Sequence, residues 1–471
     1  MSLQLCMQMS RSGIRGRVVL VEISKFVHSF DLGEHVALWH ALRMKPVFLT
    51  KKTYKDLLDG SCADDVRQEL KHNKIILSYE GEDEDVLKWV RSKVPSPSIS
   101  ICYFILSERC NLACKYCFLG NNSEKRKLFS STDMSREVAD KAIDFFVRQL
   151  LLSGIDFKKN ASQIIFFGGE PLINFDILEY VAHRINALRT EIPVLASCEM
   201  SVITNGTLLT KERIIKLNNL GVTVNISIDG STSEANQMRV DVAGNEVFER
   251  LIAILDLFKD MHIKPSLSVS LTDSTIKDLP GLLDLINKYD IKGLGYNILL
   301  CSDNFTLPDQ YYKEASDFII DSFKVFRPLG IYEDRIMRKL NAFAHSQIHF
   351  SDCGATAGGQ LVFSPDGRVG ICHEMLAEKE NFVTTVFDES FNAKEHPLWQ
   401  KWANLTPINC DDCISCEALG ICGGGCPVNA RLRNPDKGLH VLDERSCIHA
   451  KSTLKFLIED LYQVAINRIH S

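Results

Sequence analysis

The sequence lacks the features that would tie the protein to a membrane or to a nucleic acid. It contains no run of about 18 apolar residues, and its N-terminus has no clear apolar stretch followed by a small-residue cleavage site. Positive charge is not in excess, because 54 Lys+Arg against 60 Asp+Glu leave a formal net charge of -6. We therefore expect a cytoplasmic protein that has neither a membrane nor a nucleic acid as its partner.

Cysteine, by contrast, is abundant, with 16 residues in the chain. Disulfides are rare in the cytosol, so such a number indicates metal binding or catalysis. Five cysteines stand alone and are interpreted as buried small residues: Cys6, Cys62, Cys102, Cys198 and Cys301. The other eleven form two groups, one near residue 110 and one between residues 353 and 447.

The 471 residues predict two to four domains, at about 100–200 residues per domain. Residues 1–97 contain apolar runs and helical stretches before the linker "KVPSPS", and are predicted to form a small α+β domain. In residues 98–345, β-rich runs alternate with helical patterns about six times, which predicts an α/β fold of the partial (β/α)6 barrel type. Residues 346–471 form a Gly- and Cys-rich region that ends in an amphipathic helix, and there we expect no regular βα alternation.

Four unusual motifs follow the predicted strands of residues 98–345. "CNLACKYCFLG" follows the first strand, "FFGGEP" ends the second, "ITNG" the third and "SIDG" the fourth. The chemistry of a βα barrel lies at the carboxyl ends of its strands, so we expect these motifs to meet on one face.

The first motif places Cys110, Cys114 and Cys117 within eight residues. Three thiolates can hold three irons of a 4Fe-4S cluster and leave the fourth iron open. A zinc site is the alternative, because closely spaced thiols also suit tetrahedral zinc. The CxxxCxxC spacing, with Phe118 at its aromatic position, resembles the signature of the radical S-adenosylmethionine (radical SAM) superfamily. That resemblance implies that SAM binds the open iron and is cleaved to a 5′-deoxyadenosyl radical.

The other strand-end motifs resemble SAM contacts of that superfamily. By resemblance, Glu170 accepts from the SAM ammonium, and two glycines let the backbone approach the ligand. The alternative for this motif is a simple strand-exit turn. Arg239 is expected to pair with the SAM carboxylate, or else to be a surface charge. The expected cofactor-binding residues are Phe118, Gly168, Gly169, Glu170, Pro171, Thr204, Asn205, Ser227, Asp229 and Arg239.

The second Cys group resembles the SPASM extension of radical SAM enzymes. Its spacing, CX13GX4C followed by CX2CX5CX3C and a distant Cys, matches that pattern throughout, and a Pro-Asp-Gly turn predicts a hairpin between its first two cysteines. The resemblance implies two auxiliary 4Fe-4S clusters, and therefore three in the chain. The outer one would be held by Cys413, Cys416, Cys422 and Cys447, and the inner one by Cys353, Cys372 and Cys426. A zinc ribbon is the alternative.

Cys410 is extra to that pattern, so the fourth ligand of the inner cluster is open. Either Cys410 fills the position, which we favour because a free thiol beside two clusters is prone to oxidation, or the iron stays open for a substrate Cys.

SPASM enzymes mostly modify ribosomally made peptides or proteins, so the resemblance implies an oxidoreductase-type peptide maturase. We expect it to cross-link a precursor peptide through a Cys thioether, with a reductant such as flavodoxin or ferredoxin as a further partner. A sulfatase-maturase-type enzyme is the alternative; those enzymes place an Asp where this chain has His373. A non-catalytic Fe-S or zinc protein is the alternative of another class.

Residues 1–97 resemble, in position and length, the winged-helix-like element by which peptide maturases recognise a leader segment. Such elements add the leader as a strand to a sheet edge. The alternative is a structural cap on the barrel.

Overall fold

The computed structural model describes residues 22–117, 132–157, 160–300, 306–376, 378, 381–433, 438–439 and 441–470. Phe118, Cys6 and Cys301 lie outside the described residues. None of the helices found in the described part of the chain is long and apolar enough to cross a membrane.

The N-terminal unit is a three-stranded antiparallel sheet followed by three helices. Its strands, in the order β1-β2-β3, are β1 (Val27–Asp31), β2 (His35–His40) and β3 (Pro46–Thr50). The helices are α1 (Lys51–Leu58), α2 (Asp64–His72) and α3 (Glu82–Arg91). Thr50 ends β3 and caps α1, because its side chain accepts from the backbone N–H of Thr53.

The central sheet has ten strands, in the order β10-β9-β8-β7-β6-β5-β4-β11-β12-β13. Its parallel part comprises β4 (Ile101–Ser107), β5 (Gln163–Gly168), β6 (Glu199–Thr204), β7 (Val222–Ile228), β8 (Ser266–Leu271), β9 (Gly293–Ile298) and the short β10 (Tyr332–Glu333). The end strands β10 and β13 do not pair with each other among the described residues. The predicted α/β class with a mostly parallel sheet is confirmed.

Helices follow each of the strands β4 to β10. They are α4 (Arg136–Ser153), α5 (Phe175–Leu188), α6 (Lys211–Asn219), the short α7 (Ser233–Asn236), α8 (Phe248–Asp260), α9 (Leu279–Lys288), α10 (Tyr311–Phe326) and α11 (Asp334–His345). Ser135 and Thr210 cap α4 and α6 through their side-chain oxygens, as their positions before apolar-periodic stretches indicate.

The Cys-rich region adds strands to the same sheet. β11 (Gln360–Phe363) pairs parallel with β4, and β12 (Arg368–Gly370) and β13 (Phe382–Thr385) continue antiparallel. This region shows no regular βα alternation, but it does contribute to the sheet at its start, because β11 pairs with the edge that β4 would otherwise leave unpaired. The remaining helices are α12 (Pro397–Ala403), α13 (Leu419–Cys422), α14 (Pro427–Arg433) and α15 (Glu444–His470).

Candidate active site

The loop that carries the first three thiols lies at the carboxyl end of β4 and is tied to a distant segment of the chain. The backbone N–H of Ala113 donates to the carbonyl of Val240 at 2.8 Å. The N–H of Lys115 donates to the carbonyl of Met238 at 2.9 Å. This pairing holds Arg239, which lies between the two acceptors, beside the thiol loop.

The three thiols lie close enough to one another to interact. The residue Cys110 is partly open to solvent although protein surrounds its sulfur, and Cys114 and Cys117 are half-buried. Desolvation by the surrounding protein raises the pKa of Cys110 to about 12 and that of Cys114 to about 11, and charge on the neighbouring thiols adds to both shifts. The charge of Arg239 opposes the shift at Cys114. Leu112 also donates its backbone N–H to the Cys110 sulfur at 3.4 Å, so this donor set fits an iron-sulfur cluster.

The two glycines at the end of β5 are required by the neighbouring backbone. A Cβ atom on Gly168 would lie 2.3 Å from the carbonyl oxygen of Ser107, and one on Gly169 would lie 2.4 Å from that of Arg109. We expected these glycines to let the backbone approach a ligand. In the structure they let the exit of β5 approach the exit of β4, and Pro171 then begins a 3-10 turn.

Glu170 is fully buried, and its carboxylate is held by protein groups. It accepts from the Thr204 hydroxyl at 2.7 Å, from the Asn205 N–H at 2.8 Å and from the Leu172 N–H at 3.0 Å. Burial raises the pKa of Glu170, and these three hydrogen bonds oppose the shift. The described contacts therefore make Glu170 the residue that positions the turn after β6.

Asn205 connects that turn to the thiol loop. Its amide nitrogen lies 3.0 Å from the Asn111 side-chain oxygen and 3.9 Å from the Cys110 sulfur. Its own oxygen accepts from the Thr207 hydroxyl at 2.7 Å, and the Asn111 amide donates to that hydroxyl at 2.8 Å. Asn111 and Thr207 were missed by the sequence analysis, although each stands next to a motif residue that it identified.

A buried ion pair lies on the other side of the thiol loop. Arg239 donates from Nε to Asp229 at 2.8 Å, and the Tyr116 hydroxyl lies 2.6 Å from both Asp229 oxygens. Burial is the largest single influence on Arg239 and lowers its pKa, but the charges of Asp229, Tyr116 and Cys114 and the hydrogen bond to Asp229 together outweigh burial and raise that pKa. The alternative of a surface charge is wrong, since Arg239 is buried. Ser227 is half-buried on β7, and Tyr116 is a further residue that the sequence analysis missed.

The inner group of the Cys-rich region brings three thiols and a carboxylate together. Burial is the largest cause that raises the pKa of Cys426, and charge on Glu374, Cys372 and Cys353 adds to it. The Cys426 sulfur lies 3.7 Å from Glu374 Oε2. Glu374 is the member of this group that the sequence analysis did not identify.

The outer group contains Cys413, Cys416, Cys422 and Cys447. Burial raises the pKa of Cys447, and charge on Cys422 and Cys416 raises it further. Cys410 belongs with this group in space, because the Cys413 backbone N–H donates to its carbonyl at 2.9 Å and its thiol interacts with that of Cys413, which raises the pKa of Cys413. Within the described residues, no three His, Cys, Asp or Glu side chains converge tightly enough to ligate a single metal ion.

His373 fills the position at which sulfatase-maturase-type enzymes carry an Asp. Its ring stacks on Tyr103, with centroids 4.4 Å apart, and meets Phe167 at 5.0 Å. Burial lowers the pKa of His373 to about 4, so the ring is neutral and packs as part of the sheet surface at physiological pH.

Residues 104–286, from β4 to α9, match the model of the Radical SAM superfamily. The chain therefore carries a radical SAM domain, and the match includes the thiol loop, Glu170, Asp229 and Arg239.

Among characterised proteins, the chain is similar to the radical SAM cyclopropyl synthase TigE of Paramaledivibacter caminithermalis. The two are 25% identical over 374 residues, which are 77% of this chain and 74% of that protein. Two solved structures share its fold. Native anSMEcpe with bound AdoMet and Cp18Cys peptide matches with a TM-score of 0.62 at 20% identity, over 79% of this chain and 100% of that one. Streptococcus suis SuiB bound to precursor peptide SuiA matches with a TM-score of 0.50 at 16% identity, over 91% of this chain and 100% of that one.

Proposed function

We propose that this protein is a radical SAM peptide maturase that cross-links a ribosomally made precursor peptide through a Cys thioether. The observation that carries the proposal is the arrangement at the carboxyl edge of the parallel sheet, where three thiols lie between the Asn205 network and the buried pair of Asp229 and Arg239. An open-iron cluster needs three thiolates and polar groups beside it for the amino acid part of SAM.

The proposal assigns each thiol group to a cofactor. Cys110, Cys114 and Cys117 would hold the cluster that binds SAM, and the SPASM-type region would hold the outer and inner auxiliary clusters. When bound, the first cluster and SAM supply a 5′-deoxyadenosyl radical that abstracts a hydrogen atom from the peptide. Glu170 and Thr204 would shape the pocket for SAM, and Arg239 would place a positive charge beside that pocket.

Two structural neighbours support a peptide substrate, because anSMEcpe is bound to the Cp18Cys peptide and SuiB to the precursor peptide SuiA. We keep the division into a peptide-recognition domain (1–97), a radical SAM barrel (98–345) and a SPASM-type domain with its C-terminal helix (346–471). The structural match to SuiB covers 91% of this chain, whereas the structural match to anSMEcpe covers 79% of it. The leader segment would add to the outer edge of β1, which has no neighbouring strand among the described residues and where Ser29 is exposed.

The similarity to TigE favours a second candidate, in which the new bond joins two carbons in a cyclopropane. Both products lack two hydrogens relative to the precursor, because a thioether forms from one C–H and one S–H and a cyclopropane closure from two C–H bonds. The two products differ in the number of free Cys thiols that remain in the peptide. A short, Cys-rich precursor encoded beside the gene is the substrate to test, with alkylation before mass spectrometry. One Cys that resists alkylation supports the thioether. Alkylation of every Cys, in a product that has lost two hydrogens, supports the cyclopropane.

The test of the radical SAM assignment is the Cys110→Ala/Cys114→Ala/Cys117→Ala variant, reconstituted without oxygen. We expect it to form no 5′-deoxyadenosine and to retain the auxiliary iron, about eight atoms if both clusters hold four. Cys62→Ala, at an isolated buried cysteine, is the matched control and should cleave SAM as the wild type does. SAM cleavage by the triple variant at the wild-type rate would reject the proposal.

A further inference from the structure

A carboxylate lies within the inner thiol group. Glu374 follows Cys372 by two residues, in the 3-10 turn His373–Met375, and its Oε2 lies 3.7 Å from the sulfur of Cys426. The charge of Glu374 also acts on Cys372, where it is the largest contribution to the raised pKa after burial. One carboxylate is therefore close to two of the three inner thiols, which come from separate parts of the chain.

The protein holds this carboxylate in place from the other side. The side-chain amide of Asn429, on α14, lies between Glu374 Oε2 and Arg445 Nη2, and the amide orientation that satisfies both donates to Glu374 Oε2 at 3.1 Å and accepts from Arg445 Nη2 at 2.9 Å. Arg445 is itself buried and paired with Asp443 at 2.9 Å. Ligands of metal sites are oriented by such hydrogen-bonded partners, and a solvated surface glutamate would need none.

Cys410 is placed differently. The backbone N–H of Cys413, in the outer group, donates to the carbonyl of Cys410 at 2.9 Å, and the Cys410 thiol interacts with that of Cys413, which raises the pKa of Cys413. The residue that we favoured from the sequence as the fourth inner ligand is thus grouped with the outer thiols, and Glu374 occupies the place next to the inner ones.

We propose that the Glu374 carboxylate is the fourth protein ligand of the inner auxiliary iron-sulfur cluster, beside Cys353, Cys372 and Cys426. This inference rests on the proposed function, since it requires that the inner group holds a cluster. Carboxylate oxygen is a harder ligand than thiolate sulfur, so the iron that it binds is chemically distinct from the other three.

The experiment uses the variant that lacks Cys110, Cys114 and Cys117, in which only auxiliary clusters can assemble. Cys353→Ala in that background identifies the inner signal in electron paramagnetic resonance. Glu374→Gln should change this signal and leave the outer one as it was. Added β-mercaptoethanol should then shift the inner signal of Glu374→Gln, because its thiolate can occupy the vacated iron, and should leave the parent signal unshifted.

Two further variants complete the test. Glu378→Gln is the matched control, four residues along and paired with Arg431, and should leave both signals unchanged. If Glu374→Gln loses the cluster altogether, Glu374→Cys provides the test instead. Its thiolate keeps a ligand at this position, so the variant should retain iron, and its signal should not shift with β-mercaptoethanol. An inner signal that is identical in the parent and in Glu374→Gln would overturn the inference, and a change on Cys410→Ser instead would assign the ligand to Cys410. A parent that assembles no auxiliary iron would overturn both the inference and the proposed cofactor content.

Discussion

Glu170 shows how a residue at a strand end can act through its neighbours. Its carboxylate accepts hydrogen bonds from one hydroxyl and two backbone N–H groups. These bonds fix the turn that places the Asn205 side chain near the Cys110 sulfur. Charge-assisted hydrogen bonds are worth about 1.5–3 kcal/mol each, so a neutral acceptor at this position would loosen the turn.

We therefore predict that Glu170→Gln weakens SAM binding about tenfold or more and lowers the melting temperature. Thr204→Val, which removes the hydroxyl that Glu170 binds, should reproduce part of both effects if Glu170 positions the turn. Titration of SAM binding by calorimetry measures the first effect and thermal unfolding the second. Glu199→Gln, at the exposed opposite end of β6, is the control. Weak SAM binding in Glu170→Gln beside unaltered binding in Thr204→Val would instead indicate a direct contact between Glu170 and SAM.

The residues around the thiols divide into those that a sequence can reveal and those that it cannot. Cys110, Glu170 and Asp229 stand in motifs whose spacing is distinctive. Asn111 and Tyr116 are common residue types, and their roles depend on partners about one hundred positions away in the chain. Only the register of parallel strands brings those partners together, so no local pattern could identify them.

Among the elements, β1 is one of the two edge strands of the N-terminal sheet, and a further strand could pair there. The backbone bonds at Leu32–His35 and Phe26–Ala41 flank the β1–β2 ladder. Positions alternate in an antiparallel ladder, so the N–H and C=O of Ser29 point away from β2. Ser29 is exposed, and we expect its outward backbone groups to be accessible to a peptide.

Ser29→Pro removes the outward N–H and should leave the β1–β2 ladder in place, because that N–H makes no bond within the ladder. We predict that it lowers processing of the full-length precursor at least several-fold, while 5′-deoxyadenosine formation without peptide continues. Ser29→Ala keeps the N–H and serves as the matched control. Mass spectrometry of the precursor gives the processed fraction; equal processing by the two variants would place leader binding elsewhere.

The prediction of elements succeeded where the signal was local. Ser135 marks the start of α4, and the Pro-Asp-Gly turn of residues 365–367 joins β11 and β12. The pairing of β11 with β4 was missed because the two strands are about 250 residues apart and nothing in either sequence specifies the partner.

At the scale of the whole molecule, the N-terminal unit is not a separate body on a linker. β2 alternates between two cores: Val36 and Leu38 pack with α1 and α2, whereas Ala37 and Trp39 belong to the main core of the molecule. Deletion of this unit would expose that main-core surface, so a point substitution is the better test of its coupling to the rest.

Trp39 makes the connecting contacts. It is fully buried, its ring stacks on Phe343 of α11 at 5.2 Å, and its indole N–H donates to the carbonyl of Glu417 at 2.9 Å. These contacts link the N-terminal sheet to α11 of the barrel and, through Glu417, to the Cys-rich region near its outer thiol group. A substitution at Trp39 should therefore alter the position of the N-terminal sheet and leave the contacts of the thiol loop after β4 unchanged.

We predict that Trp39→Ala costs about 3–5 kcal/mol of packing and makes the N-terminal unit accessible to protease before the barrel. Because the thiol loop keeps its own contacts, formation of 5′-deoxyadenosine should persist at temperatures where the barrel stays folded, while precursor processing is lost. Trp39→Phe keeps the stacking and loses one hydrogen bond, about 1 kcal/mol, and should process the precursor nearly as the wild type does. Trp89→Ala, at an exposed tryptophan of α3, controls for the loss of an indole. Limited proteolysis, followed by mass spectrometry of the fragments, tests the order of unfolding. If Trp39→Ala retained processing and protease resistance, the N-terminal unit would be held by its other contacts, and Trp39 would not couple it to the Cys-rich region.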